Sequence, residues 1–187
     1  MDAFMFTLLL TFIIALGGRD QMIIAQFSDE LEKTTGLLIL GMACAAASAA
    51  AMAYAGWTIA AMLPDRAANM LVAIALAFAG LELFWPIKLK RMKEPTRSYI
   101  AIGAVVLLRQ FGDAARFVIF AFAAQAVYPV VTILGGALGG MAAIALGWAA
   151  GKARLDQYPL YYVRIFIGAC LIVAALFIGL NARFAEL

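Results

Sequence analysis

The sequence predicts an all-α polytopic membrane protein, with six transmembrane helices arranged as two inverted three-helix repeats. Three observations carry this expectation. Of 187 residues, 66% are apolar and 13% charged, with a mean hydropathy of +0.99; a soluble domain has roughly 45–50% and 25%. Apolar runs recur six times along the chain, each near the length of about 20 residues that a membrane-crossing helix needs. Shifting the chain on itself by 95 residues aligns its glycines and prolines.

So much apolar surface cannot be hidden inside one soluble core, and disordered chains are poor in apolar residues. A transmembrane β-barrel is excluded because the runs lack apolar/polar alternation. The sequence contains no histidine, so histidine triads, proton relays and metal ligands are excluded. Cys44 and Cys170 sit far apart in apolar runs and read as two buried small hydrophobes; no CxxC pair offers a thiolate site. The net charge of +3 reads as loop topology, with no nucleic-acid partner expected.

The spans read as residues 3–27, 36–63, 67–87, 98–126, 128–151 and 159–181. Ser28-Asp29-Glu30 closes the first, and Pro64-Asp65-Arg66 separates the second from the third. The run from Lys88 to Pro95 follows the third, Tyr128-Pro129 opens the fifth, and Lys152 to Pro159 precedes the last. The first run carries Asp2 where a signal peptide carries basic residues, and lacks a small-residue cleavage site, so it is expected to remain as a span. Halves of 1–92 and 98–187 result.

Loop charge sets the orientation. The odd loops carry Lys33; Lys88, Lys90, Arg91, Lys93 and Arg97; and Lys152 and Arg154. The opposite side carries Arg66 and Arg183. By the positive-inside rule both termini lie outside the cytoplasm, and a bacterial inner membrane is the expected location. Trp57, Trp85 and Trp148 read as interfacial anchors. Arg164, near a helix start, is expected to snorkel, and Glu82, six residues before Lys88, to snorkel or to pair locally.

The 95-residue shift places Gly17 on Gly112, Gly41 on Gly136, Gly56 on Gly151 and Pro64 on Pro159. Three spans per half is an odd number, so the second half enters from the opposite side. Inverted repeats are a signature of secondary transporters, with the substrate site at the repeat interface. The glycines from Gly135 to Gly151 and the alanine run Ala43–Ala55 read as small-residue packing, with these two helices crossing closely.

Each half carries a polar break at the same place: Ala15-Leu16-Gly17-Gly18-Arg19-Asp20-Gln21 and Gln110-Phe111-Gly112-Asp113-Ala114-Ala115-Arg116. A charge at the bilayer centre costs about 2.5–3.5 kcal/mol on insertion scales, so these groups are expected to meet. Arg19 is expected to face Gly112 and Asp113, and Asp20 to face Arg116 or Arg109. Arg109 and Arg116, four before and three after Asp113, would share its helix face.

The two breaks resemble the repeated Glu-x-Gly-Asp-Lys/Arg-Thr/Ser motif of uncharacterised protein family 0016, the Golgi-type manganese and calcium transporters and their bacterial relatives in the LysE superfamily. The glycine- and alanine-rich second helix, the proline before the third and the Phe78-Ala79-Gly80 stretch are similar to that family as well. Ala15 and Gln110 stand at the motif Glu, Gly18 and Asp113 at the motif Asp, Arg19 and Ala114 at the basic position, and Asp20 and Ala115 at the hydroxyl position. The resemblance implies a six-helix cation–proton exchanger exporting Mn²⁺ or Ca²⁺. Asp113 and Asp20 would be metal ligands, Gln21 and Gln110 further oxygen donors, and Arg19, Arg109 and Arg116 counter-charges or gates. Two carboxylates against three arginines leave +1 in the core, so the metal site reads as partly lost. Two alternatives stand beside this: a non-transporting or regulatory relative closed by ion pairs, and an exporter of an anion or amino acid selected by the surplus arginines. No nucleophile–base pair points to an enzyme and no cofactor is expected. The expected partners are the bilayer and a small ion, with a homo-oligomer left open.

Overall fold

A computed structural model describes residues 2–31, 34–87 and 98–184, and its described residues are helical without a strand. The elements are α1 (Asp2–Ala15), α2 (Arg19–Glu30), α3 (Thr35–Ala61), α4 (Asp65–Phe84), α5 (Tyr99–Gln110), α6 (Ala114–Ala124), α7 (Pro129–Ala150), α8 (Lys152–Leu155) and α9 (Leu160–Phe184). Four of them, α3, α4, α7 and α9, are long and apolar enough to cross a bilayer. The α1–α2 pair is bent by 60° at its break and makes a fifth when counted as one broken span. The run expected over 98–126 is divided as well, into two shorter apolar helices, α5 and α6. The protein is thus a helical membrane protein, with Phe6, Ile39, Phe78, Phe166 and Phe177 on its exposed surface, where lipid tails replace water as solvent. Lys33 and the basic run Lys88–Arg97, on which the orientation rests, lie outside the described residues.

Local chemistry fixes the helix ends. Pro64 and Asp65 open α4, and Pro129 opens α7 at a position where a missing N–H costs nothing. Ser98 caps α5, accepting from the Ala101 N–H at 3.4 Å, and Asp113 caps α6, accepting from the Ala115 N–H at 3.2 Å. At the end of α7, Gly151 takes φ +73°, a left-handed conformation that favours glycine. Asp29 of α2 accepts from the Lys152 N–H at 2.8 Å, tying the end of α2 to α8.

The helix boundaries repeat with the sequence. Ala15 and Gln110 end α1 and α5, Arg19 and Ala114 begin α2 and α6, and Asp65 and Leu160 begin α4 and α9; each pair stands 95 residues apart. α3 packs on α7, and α4 on α9. Small residues make these contacts close. A Cβ on Gly80 of α4 would stand 2.9 Å from the Gly168 carbonyl oxygen of α9, and one on Gly135 of α7 would stand 2.7 Å from the Phe4 carbonyl oxygen of α1. The glycine pairs of α7 divide their work: Gly135 and Gly139 face α1, while Gly136 faces α6 and Gly140 lies between α3 and the Arg116 side chain of α6. Cys44 is buried as expected, but Cys170 is exposed on α9, whose long apolar surface leaves it facing outward.

Candidate functional site

The two breaks do meet, through the residues that end one helix and begin the next. Gly17 turns the chain with φ +68°, and Gly18 sits at the N-cap of α2 without a side-chain cap. Gln21 supplies what Gly18 lacks. Its Oε1 accepts from the Gly17 N–H at 2.6 Å, and its Nε2 donates to the Ala143 carbonyl of α7 at 2.8 Å. Asp20 Oδ1 accepts from the Gln21 N–H at 2.9 Å. Its other oxygen, Oδ2, stands 3.6 Å from a terminal nitrogen of Arg116.

Arg116 is wholly buried, the largest fully buried side chain among the described residues. It reaches from α6 toward α3, where its Nε donates to Ser48 Oγ at 2.9 Å. Its second terminal nitrogen lies 3.9 Å from Asp113 Oδ2 and makes no hydrogen bond to protein. Gly140 on α7 borders the guanidinium, and a Cβ there would stand in ordinary van der Waals contact with it at 3.6 Å. The Gln110 amide has two settings. With its nitrogen toward Asp20 it donates to Oδ2 at 3.3 Å and accepts from Ser48 at 2.8 Å. Turned over, it donates to Ser48 Oγ at 2.8 Å and the Cys44 carbonyl at 2.9 Å, and its oxygen accepts from Arg116 at 3.2 Å. The turned setting holds, because the first sets oxygen against oxygen at Cys44 and nitrogen against nitrogen at Arg116. Ser48 then accepts from Arg116 and Gln110 and donates to the Ala45 carbonyl at 3.1 Å.

Several expectations are corrected here. Arg109 does not share a face with Asp113. Helix α5 stops at Gln110, so the i,i+4 relation is broken at the turn, and Arg109 is exposed. Arg19 does not face Gly112 and Asp113; it leans outward and meets Glu82 at 3.6 Å. Glu82 does not snorkel but pairs with Arg164 at 3.1 Å and with Arg19; Lys88, the nearby lysine, lies outside the described residues. Arg164 does not snorkel. It is 3% exposed, and its second terminal nitrogen donates to the Gly17 carbonyl at 3.3 Å. Gly112, in contrast to Gly17, lies at the exposed edge of its break, where a Cβ would meet only the Arg109 carbonyl oxygen, at an ordinary 3.9 Å.

These corrections change the charge of the centre. Asp20, Asp113 and Arg116 remain, two carboxylates and one guanidinium, a net of −1 where the sequence count gave +1. The excess of arginine that would select an anion or an amino-acid carboxylate is displaced to Glu82 and to the surface. Asp20 and Asp113 are brought together as the expected metal ligands, but around an arginine. Among the described residues no group of three acidic, histidine or cysteine side chains is placed to hold a metal. A hard dication wants six or more oxygens, and here a guanidinium already takes up the carboxylates. Ser48, Glu82 and Arg164 were missed as site residues. A serine in an alanine run, and charges near helix ends, carry no motif; only their being intramembrane polar groups marks them.

No protein-family model matches the chain, and it matches neither a curated protein nor a solved structure.

Proposed function

We propose that the protein is a secondary transporter that exchanges a small cation for protons, with Asp20 and Asp113 as the exchanging carboxylates and Arg116 as a tethered counter-cation. The observation that supports this most is the meeting of two helix breaks, one from each half, on a single buried ion-pair cluster. Structure of this kind is costly in a membrane and is kept where ions pass. In this reading α1–α2 and α5–α6 are each one broken span. The chain then crosses six times, the halves 1–92 and 98–187 are inverted repeats, and both termini lie outside a bacterial inner membrane.

The net −1 charge favours a singly charged load. One proton or one monovalent cation neutralises the cluster, whereas Mn²⁺ or Ca²⁺, the load the resemblance implies, leaves +1 unless Arg116 swings away. Like charge in low dielectric is strongly unfavourable. Arg116 is therefore both a stand-in for the load and a device that excludes a second positive charge.

The test is flux into proteoliposomes under a pH gradient, with Na⁺, K⁺, Mn²⁺, Ca²⁺ and amino acids in turn. Proton-coupled flux of a monovalent cation, abolished by Asp20→Asn or Asp113→Asn, is the expected result. Flux of Mn²⁺ or Ca²⁺ alone would return the reading to divalent exchange. Absence of all flux would identify a non-transporting relative closed by its ion pairs.

A further inference from the structure

Two cavities lie at opposite ends of α4. One, of about 350 Å³, is lined by Gly17, Leu155, Asp156, Leu160 and Arg164, with Pro86 beyond the C-terminal end of α4. The other, of about 500 Å³, is lined by Ala60, Ala61, Asp65 and Asn69 at the N-terminal end of α4, together with Gln125. A 20-residue helix separates them by about 30 Å, the thickness of a bilayer core. Four residues of each lining are equivalent in the two halves. Leu155, Asp156, Leu160 and Arg164 stand 95 residues after Ala60, Ala61, Asp65 and Asn69.

At the equivalent positions 69 and 164 each cavity is fastened by a polar pair. Arg164 bonds Glu82 at 3.1 Å and the Gly17 carbonyl at 3.3 Å, so one guanidinium joins α9, α4 and the first break. Asn69 accepts from Gln125 Nε2 at 2.7 Å, joining α4 to the end of α6. We propose that the two cavities are access vestibules for a hydrated small cation, on opposite faces of the membrane, and that Arg164 and Asn69 are their gate residues. This rests on the transporter reading for its purpose but not for its test.

The two gates differ in strength. The first is ionic, buried and shared among three groups, because Arg19 also meets Glu82 at 3.6 Å. The second is one neutral amide bond whose Gln125 is exposed. The vestibule beside Asn69 therefore opens more readily, and a cation arriving from the other side must compete with two arginines for Glu82. Glu82→Gln leaves Arg19 and Arg164 facing each other without a counter-charge, and so forces that gate apart.

Cysteine accessibility reads the gates without any flux. In full-length protein in proteoliposomes, with Cys44 and Cys170 replaced by alanine, one reporter is Ala15→Cys, two residues behind Gly17. The other is Ala121→Cys, three residues before the vestibule residue Ala124; both positions are 1% exposed. With gates intact, a membrane-impermeant methanethiosulfonate labels both slowly. Glu82→Gln is expected to speed labelling at position 15 at least tenfold and leave position 121 unchanged. Asn69→Ala, and independently Gln125→Ala, is expected to do the reverse. Arg164→Lys, which keeps the charge but loses the planar fork, gives an intermediate gain at position 15. Unchanged rates in all four variants, or equal gains at both reporters, would overturn the proposal. A protein that moves no ion but shows these side-specific gains keeps its gates and loses only the transporter reading.

Discussion

In the first break Gln21 reaches from α2 to the carbonyl of Ala143 on α7; in the second, Arg116 reaches from α6 to the hydroxyl of Ser48 on α3. Gln21 and Arg116 are 95 residues apart, and so are Ser48 and Ala143. The same arm thus spans the same gap twice, once with a neutral amide and once with a guanidinium. The neighbours differ in step. Gly18 stands where Asp113 stands, and Asp20 where Ala115 does. The first break satisfies itself, through Gly17 and Gln21, and has a carboxylate to spare. The second carries the cation that this carboxylate answers. The scaffold asks only for an arm of suitable length at each break, so one half is free to carry charge provided the other supplies the counter-charge.

The comparison is broken most forcefully by exchanging the arms. Arg116→Gln makes both breaks alike and strands Asp20 and Asp113 as like charges without a cation. Breaking a buried pair by removing one partner costs about 3–5 kcal/mol. Gln21→Leu removes the partner of the Gly17 N–H, and a buried donor left unsatisfied costs about 1–3 kcal/mol. Reversible unfolding in mixed micelles, followed by circular dichroism, is expected to rank Arg116→Gln as the more damaging. Equal losses would show that the arm holds the fold as a strut and that its charge adds nothing.

A smaller effect separates the two tasks of Asp113, as cap of α6 and as counter-charge of Arg116. Asparagine caps a helix as well as aspartate does, and losing the cap altogether costs about 1 kcal/mol. Asp113→Asn is therefore expected to lose only the charge, and Asp113→Ala to lose about 1 kcal/mol more by the same cap. Combining Asp113→Asn with Arg116→Gln is expected to recover part of the single losses, with a coupling above about 0.5 kcal/mol in a double-mutant cycle. Additive losses would leave Asp113 as a free carboxylate and would place the pairing on Asp20 alone.

Much of this arrangement was legible in the chain. The helical membrane class followed from hydropathy. The position of both breaks followed from adjacent glycines and charges inside apolar runs, and a pairing of Asp20 with Arg116 or Arg109 from the cost of single charges in a membrane; the structure selects Arg116. What was not legible has a common cause. Arg109 was placed beside Asp113 by counting along a helix that in fact ends at Gln110, and helical periodicity holds only as far as the hydrogen-bond ladder runs. Arg164 and Glu82 look like interfacial charges because each stands near a helix end. Only the packing of α9 on α4, held close by Gly80 and Gly168, brings them together and buries them. Sequence position gives depth in the membrane; it does not give the side of the helix that a neighbour will cover.

The finest contrast lies in the two glycines that the repeat superposes. Gly17 has φ +68°, and a Cβ there would stand 2.9 Å from the Cβ of Leu160 on α9. Gly112 has neither constraint: its φ is not positive, and the nearest atom to an added Cβ is the Arg109 carbonyl oxygen at 3.9 Å. A left-handed conformation costs an L-residue roughly 1–2 kcal/mol, to which the close approach to Leu160 adds. Gly17→Ala is therefore expected to destabilise by at least about 1 kcal/mol, and Gly112→Ala to stay within about 0.5 kcal/mol of the parent, as an unconstrained surface change does. Thermal unfolding of the two variants side by side decides it. If Gly112→Ala costs as much as Gly17→Ala, the second break flexes through a conformation in which Gly112 turns left-handed as Gly17 does. The two breaks would then be alternative states of one hinge, and the difference between them a matter of which state is populated.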